Sequence, residues 1–318
     1  MVIIVNWRQP VSNSQNQTQK IAIDIGYGDT KVCVAGKNGL VTFKFPSAVA
    51  KVKESQSNFG DDSMPDSYIF NGKRYFVGEK AQHDAMSTRG YNFLANYGPL
   101  IAYHAIIKAG LDTTKPIHLT TGLSIMNWAD SNNFLEIMKT IKVDETIIKP
   151  TVLLMAQGQG VLKDYDGDTD GIVCVIDIGY NTFDFLVFED GAPRKDLSYA
   201  APIGANKIIT DLQAKVSKSF NSTVSEQMAK KIFMEQEGRN FGDIIDFSNE
   251  IQELKEEYCA FILDELRSKS RDTLQQASAV ILSGGGAYFL EGMKLPSNIV
   301  FSETPYEFGN VRGYYKAK

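Results

Sequence analysis

Two short stretches of this sequence carry the residue types needed to hold a polyphosphate. The first is Asp24-Ile25-Gly26-Tyr27-Gly28-Asp29-Thr30-Lys31, and the second is Asp177-Ile178-Gly179-Tyr180-Asn181-Thr182-Phe183-Asp184. In the first, glycines let backbone N–H groups turn toward an anion without obstruction by Cβ. Thr30 adds a hydroxyl donor and Lys31 a positive charge that can sit on a phosphate. Asp24, at the end of an apolar run, has the chemistry to hold Mg²⁺ through water. The second stretch repeats the tools, with Asp177 in the place of Asp24. A third stretch, Ser283-Gly284-Gly285-Gly286-Ala287-Tyr288, lets a flat base or ribose approach the backbone, with Tyr288 placed to pack on it. Each stretch alone also reads as an ordinary turn; the pairing of the first two is what carries weight.

The elements around these turns explain how they would be positioned. IAIDI (21–25) is a short apolar run entering a glycine turn, which reads as a buried strand leading into a hairpin. KVCVA and LVTFKF continue it across Gly36-Lys37-Asn38-Gly39. IVCVIDIGY and NTFDFLVFEDG repeat the strand–turn–strand plan in the second half, so that IDIGY occurs once at the start of each half. Such a repeat in matching context predicts a duplicated α/β domain with two hairpins facing one another. Tyr68–Phe70 and Arg74–Val77 bracket Asn71-Gly72, a strong hairpin signal. Residues 98–110 have helical periodicity, IHLTTGL reads as a strand, and TIIKPTVLLM as another. Residues 204–218, 222–236 and 247–269 read as helices, the last with an apolar face at Ile251, Leu254, Tyr258, Ile262 and Leu266. SAVILSGGGAYFLEG reads as strand, glycine turn, helix. Residues 53–66 read as a surface loop.

Bulk composition narrows the classes. Of 318 residues, 43% are hydrophobic and 22% charged, which is ordinary for a globular protein. A net charge of -5 supplies no basic footprint for direct DNA binding. Cys33, Cys174 and Cys259 are odd in number and widely spaced, with neither a metal spacing nor a disulfide framework, as suits a reducing cytoplasm. His83, His104 and His118 show no ligand spacing and read as structural or surface histidines. The acidic run DYDGDTDG (164–171) lacks the glycine and the closing Glu of a calcium loop and reads as a solvated turn. No apolar run reaches the length of a membrane helix, and MVIIVNWRQP is too short in its apolar part for a signal peptide.

The three glycine-rich stretches resemble the two phosphate loops and the adenosine loop of the actin, sugar-kinase and chaperone ATPase superfamily. Within it the chain is similar to the ParM/StbA plasmid-segregation actins, through FPSAVA (45–50), YFVGEKA (75–81), TTGLSI (120–125), LLMAQGQGVL (153–162), APIGANKI (201–208) and FGNVRGYY (308–315). The resemblance implies a duplicated actin-like fold of two domains, each a mixed sheet flanked by helices, with nucleotide in the cleft between them. Residues 1–20 would be a polar tail, 21–161 the first domain and 162–318 the second, a helix at about 308–318 packing back on the first.

The resemblance also implies roles. ATP with Mg²⁺ would be bound, with room for GTP, through Gly26, Tyr27, Gly28, Asp29, Thr30, Lys31, Gly179, Tyr180, Asn181, Thr182, Gly284, Gly285, Gly286 and Tyr288. Lys31 would contact the β-phosphate, and Asp24 and Asp177 would organise the metal and its water. Gln157 lies where relatives present an acidic or amide residue to the attacking water, on a connecting helix, with Gln159 as the alternative. An amide orients water but is a poor base, so hydrolysis would be slow. Lys230, Lys231 and Glu235 fall on the helix that usually faces the ribose, and read equally well as a solvated face. The implied function is a cytoplasmic ATPase that polymerises head to tail and moves plasmid or other DNA through a DNA-binding adaptor, touching neither DNA nor membrane itself. A small-molecule kinase, with Asp184 as its one candidate base, and a non-filamentous ATP-binding scaffold are the competing readings.

Overall fold

A computed structural model of the chain describes residues 18–53, 65–86 and 90–317. The N-terminal tail expected over 1–20 and the loop expected over 53–66 lie almost wholly outside the described residues. The chain divides into two compact units. One takes in the residues up to Leu123, then Asn127–Ala156, then Asn310 onward; the other takes in Ser124–Met126 and Gln157–Gly309. The change of unit thus falls between Ala156 and Gln157, ahead of the boundary at 161 read from the sequence.

The first unit is built on β1 (Gln19–Ile25), β2 (Asp29–Gly36) and β3 (Gly39–Pro46), an antiparallel meander. A small sheet follows: β4 (Val49–Lys51), β5 (Ser67–Phe70) and β6 (Lys73–Val77), in the order β4-β6-β5. Its β5–β6 turn is Asn71-Gly72, both at positive φ, as a tight hairpin requires. Then come α1 (Tyr91–Lys108), β7 (Ile117–Leu123), α2 (Ser131–Met138), the small hairpin β8 (Ile141–Val143) and β9 (Thr146–Ile148), and β10 (Thr151–Ala156). The large sheet runs β10-β7-β1-β2-β3, with β7 parallel to both β1 and β10.

Two readings are corrected here. TIIKPTVLLM is not one strand but β9 and β10, broken at Lys149-Pro150, because proline has no N–H for a ladder. The helix read over 98–110 begins earlier, at Tyr91, and runs through Gly98 and Pro99, where Phe134 and Met138 of α2 pack over Gly98.

In the second unit, α3 (Gln159–Asp164) leads to β11 (Ile172–Ile178), β12 (Phe183–Glu189), β13 (Ala192–Pro193) and β14 (Tyr199–Ala201). Next are α4 (Asn206–Phe220), α5 (Glu226–Glu235), the hairpin β15 (Glu237–Asn240) and β16 (Asp243–Asp246), and α6 (Ser248–Gln276). The unit ends with β17 (Ala279–Ser283) and β18 (Ile299–Phe301), and α7 (Gly309–Lys316) carries the chain on to the first unit. Its sheet is β13-β12-β11-β17-β18, β14 also pairing with β12. β11 is antiparallel to β12 and parallel to β17, so each large sheet has a hairpin on one side of its central strand and parallel strands on the other. The sequence repeat is therefore a repeat of topology.

Burial follows the apolar pattern. Ile21 and Ile23 of β1, and Cys174 and Ile176 of β11, are fully buried, as near-continuous apolar runs require when both faces of a sheet are covered. The predicted α6 face is buried at all five positions, Ile251, Leu254, Tyr258, Ile262 and Leu266, each such side chain contributing ~1.5–3 kcal/mol. The glycine turn after β17 opens only a 3-10 turn, Ala287–Leu290, where the sequence suggested a helix. α7 sits on the first unit: Tyr314 is seated over Gly122 of β7, and Lys20 Nζ donates to the Ala317 carbonyl at 2.6 Å. TTGLSI and FGNVRGYY are thus two sides of one packing contact. All three cysteines are buried and unpaired with one another.

One buried titratable group ties the small sheet of the first unit to α1. His104 of α1 is fully buried, shares a hydrogen bond through Nδ1 with the Tyr68 hydroxyl (2.8 Å) and stands edge-on to Phe45. Its Nε2 faces Gly78, and the Asp66 carboxylate is 4.0 Å away. Burial, then the Lys108 charge, pushes its pKa down to about 4, with Glu79 opposing. The folded state therefore favours neutral His104, so stability is complete above the usual histidine pKa and is lost as pH falls from about 6.5 to about 4. The loss should amount to ~3 kcal/mol. Denaturant midpoints at pH 7.5 and 4.5 check this: the drop should be clearly smaller for His104→Gln than for the natural chain, whereas equal drops would refute it.

Candidate functional site

The two hairpin turns have the same backbone geometry. In the first unit, Ile25 pairs with Thr30, and Gly26 N–H donates to the Asp29 carbonyl at 3.2 Å. In the second, Ile178 pairs with Phe183, and Gly179 N–H donates to the Thr182 carbonyl at 2.9 Å. The residues one step further down each ladder face each other across the strands: Asp24 with Lys31, and Asp177 with Asp184. Cross-strand partners share a face of the sheet with Cβ atoms ~5 Å apart. Equivalent positions thus hold an opposite-charge pair in one hairpin and two carboxylates in the other.

In the first hairpin Lys31 Nζ lies 3.1 Å from where a side chain on Gly26 would begin, so the ammonium hangs directly over the turn. Asp24 is buried and Lys31 half-buried. The Tyr27 hydroxyl accepts from the Asn127 amide at 3.2 Å, Ser47 N–H donates to the Gly28 carbonyl at 2.9 Å, and Asp29 pairs with Lys44 at 3.6 Å. Thr30 is fully buried and its hydroxyl shares a hydrogen bond with Ser47 Oγ (2.8 Å), which fastens β2 beneath the turn.

The second hairpin is held by the residues before α4. Gly204 packs so closely beneath the turn that a Cβ there would overlap the Tyr180 carbonyl, Asn181 and Thr182. Ala205 N–H donates to the Gly179 carbonyl (3.0 Å), Asn206 N–H to the Tyr180 carbonyl (2.8 Å), and Asn206 Nδ2 to Asn181 Oδ1 (3.1 Å). The Tyr180 hydroxyl donates to Glu226 Oε1 at 2.5 Å, and Lys230 lies 4.0 Å above the Tyr180 ring while pairing with Glu226 at 2.7 Å. Lys231 pairs instead with Glu235 at 3.9 Å on an exposed face. Asp184 is 2% exposed and accepts from Ser124 Oγ at 2.7 Å, an enclosed position for a base meant to deprotonate a sugar.

The third stretch is laid against the second hairpin. Gly284 has φ +86°, and a Cβ there would overlap both the Asp177 carboxylate and the Ile178 carbonyl. Gly286 N–H donates to the Ile178 carbonyl at 2.8 Å, and Gly284 N–H to the Tyr306 carbonyl at 3.1 Å. Nothing lies within 4 Å of where a Cβ on Gly285 would stand, which leaves room for a flat group. Tyr288 leans on Tyr306, with ring centroids 4.7 Å apart, and donates to Glu307 at 2.9 Å. Desolvation and the Glu307 and Glu291 carboxylates push its hydroxyl up to about 12. Gln157 is not on a helix: it stands in the turn after β10, and Gln159 is the first residue of α3.

The residues present fit Mg²⁺ carried in with a nucleotide. Among the described residues no group of three or more His, Cys, Asp or Glu side chains forms a ready metal cage. A magnesium ion bound with phosphates needs only one or two carboxylates beside its waters. Asp177, half-buried at the mouth of the second hairpin, is of that kind.

The turns are legible in the sequence, but Ser47, Gly204, Asn206, Ser124 and Glu226, which brace them, are not singled out there, and Lys230 reads only as a ribose-facing or solvated helix residue. For Gly204 and Asn206 the signal was present, since Gly-Ala-Asn opens the helical pattern read over 204–218. For the others, only tertiary contacts reveal the link.

Gly284→Ala should therefore displace Asp177 and strain the turn. An alanine at this φ with a backbone overlap should lower stability by at least ~1–3 kcal/mol. Thermal unfolding checks it, with Gly285→Ala as control: Gly285→Ala should cost far less, and equal losses would contradict the geometry.

Two family models match the chain: one for the N-terminal domain of actin-like proteins over residues 22–159, and one for the C-terminal part of the archaeal MreB-like actin homologue over 175–294. An archaeal actin homologue of Thermoplasma volcanium is 24% identical, the match covering 93% of this chain and 98% of that protein. A crystal structure of an archaeal actin homologue superposes with a TM-score of 0.76 at 22% identity, covering 94% of this chain and 98% of the other; a structure of its ADP complex gives 0.70 at 21% identity and the same coverage. ParM from a 15-stranded filament of Clostridium botulinum gives 0.73 at 20% identity, covering 95% of this chain and 99% of the other. With each half matched by a model drawn from actin-like proteins, and both archaeal and ParM backbones superposing along nearly the full length, the chain has the actin-like fold of the ParM type.

Proposed function

We propose that this chain binds Mg-ATP through its two hairpin turns and its third glycine turn, hydrolyses it slowly, and assembles head to tail into filaments. The observation that carries the reading is the duplicated hairpin, with Lys31 over one turn and Asp177 held against Gly284 at the other. Lys31 and the backbone N–H groups of the turns would bind phosphates, the 284–286 turn would take the adenosine, and GTP would be accommodated if contacts to the base are mainly backbone. Asp177 and Asp24 would hold the water shell of Mg²⁺. When bound, that ion bridges phosphate oxygens and offsets charge developing in phosphoryl transfer. Gln157, or Gln159 beside it, would orient the attacking water.

Self-association is supported by the ParM filament among the similar structures and by exposed apolar side chains. Phe241 at the tip of the β15–β16 hairpin is fully exposed, with Met234 (81% exposed) and Ile244 (56%) on the same part of the second unit. A contact between different surfaces of identical copies propagates into a filament. With a net charge of -5, such a filament would move plasmid or other DNA through a DNA-binding adaptor, and would work in the cytoplasm. No helix among the described residues is long and apolar enough to cross a membrane.

Three variants, followed by ATP affinity, phosphate release and light scattering, separate the steps. Asp177→Ala should bind ATP but slow hydrolysis by ~10²-fold or more, giving filaments that persist. Lys31→Ala should weaken ATP binding and raise the concentration needed to assemble. Phe241→Asp should bind ATP normally and assemble poorly. Normal hydrolysis by Asp177→Ala would refute its role, and a natural chain that stays monomeric in Mg-ATP while phosphorylating a small molecule would replace the filament reading with a kinase.

A further inference from the structure

Asn206 makes a contact that the backbone bracing of the second hairpin does not require. Its N–H already anchors the Tyr180 carbonyl at 2.8 Å, and the neighbouring Ala205 N–H anchors Gly179. Its side chain does something separate: Nδ2 donates to Asn181 Oδ1 at 3.1 Å, in a part-buried position. A primary amide has an acceptor edge and a donor edge. With its oxygen taken by Asn206, the Asn181 amide presents its NH₂ group away from α4.

We propose that Asn206 is a positioning residue that fixes the orientation of the Asn181 amide, so that the second hairpin offers a side-chain donor, not an acceptor, to a phosphate oxygen. The inference rests on the reading that this turn binds nucleotide phosphates and adds to it a residue from outside the turn. The chemistry is directional. An amide free to flip presents its oxygen to the phosphate part of the time, and lone pair against anion is repulsive. The surrounding geometry keeps the pair in register: Gly204 lies in van der Waals contact beneath Asn181, and the two carbonyls anchored by 205 and 206 stop the turn from lifting off α4.

Substitutions at Asn206 separate orientation from bulk. Asn206→Ala removes the donor. Asn206→Asp, the same size, accepts from Asn181 Nδ2 and so turns Asn181 Oδ1 toward the phosphate. The probes are Mg-ATP and adenosine, the second lacking phosphates, titrated calorimetrically, with thermal unfolding of the nucleotide-free protein to confirm folding. Asn206→Ala should weaken Mg-ATP binding about tenfold and Asn206→Asp more, while adenosine binding is unchanged in both. In an Asn181→Ala background, Asn206→Ala should cause no further loss, because the group it orients is gone. Equal losses in both backgrounds, or parallel losses of ATP and adenosine binding, would overturn the inference while leaving the nucleotide site standing. No saturable binding of Mg-ATP by the natural chain would overturn both.

Discussion

Everything at the candidate site depends on the register of two antiparallel ladders. In each, a strand carries an aspartate as its penultimate residue, turns in four residues closed by one N–H···O=C bond, and returns with a partner directly opposite that aspartate. A slip of one residue would send every side chain to the other face. Asp24 and Lys31 would then no longer stand opposite each other beside the turn. The packing that buries Ile21, Ala22, Ile23 and Val32 is therefore what holds that pair in register. Core packing and site geometry are one constraint in this fold.

The same ladder has been put to different chemical use in the two halves. Lys31 and Asp184 are equivalent positions, yet one places a cation over its turn and the other is enclosed with Ser124. A duplicated unit that kept both hairpins identical would carry either two cations or two carboxylate pairs at these positions. The divergence leaves an ammonium over one turn and a half-buried carboxylate beside the other. The second turn is also more heavily braced, by Gly204, Asn206, Gly284 and the Glu226–Lys230 pair.

The central strands, both hairpins and the apolar stripe of α6 were legible in the sequence because periodicity and turn chemistry are local signals. IDIGY appearing twice showed the duplication, and the sheet orders show that it extends to topology. What was not legible depends on contacts far apart in the chain. The bond from Thr30 to Ser47 joins residues on either side of β3 in the sequence. The first turns of α1, from Tyr91 through Gly98-Pro99, are packed by Phe134 and Met138 of another helix. The turn at Gln157, and the 3-10 turn at 287–290 in place of a helix, follow from where β10 and β17 end, and strand ends are weakly marked in sequence.

The proposal that most needs testing is that the chain binds one Mg-ATP through its glycine turns. Calorimetric titration of Mg-ATP into the chain under conditions that block assembly tests it most directly, through stoichiometry. The account predicts one nucleotide per chain. Two independent sites per chain, each abolished by substitution in only one turn, would contradict it.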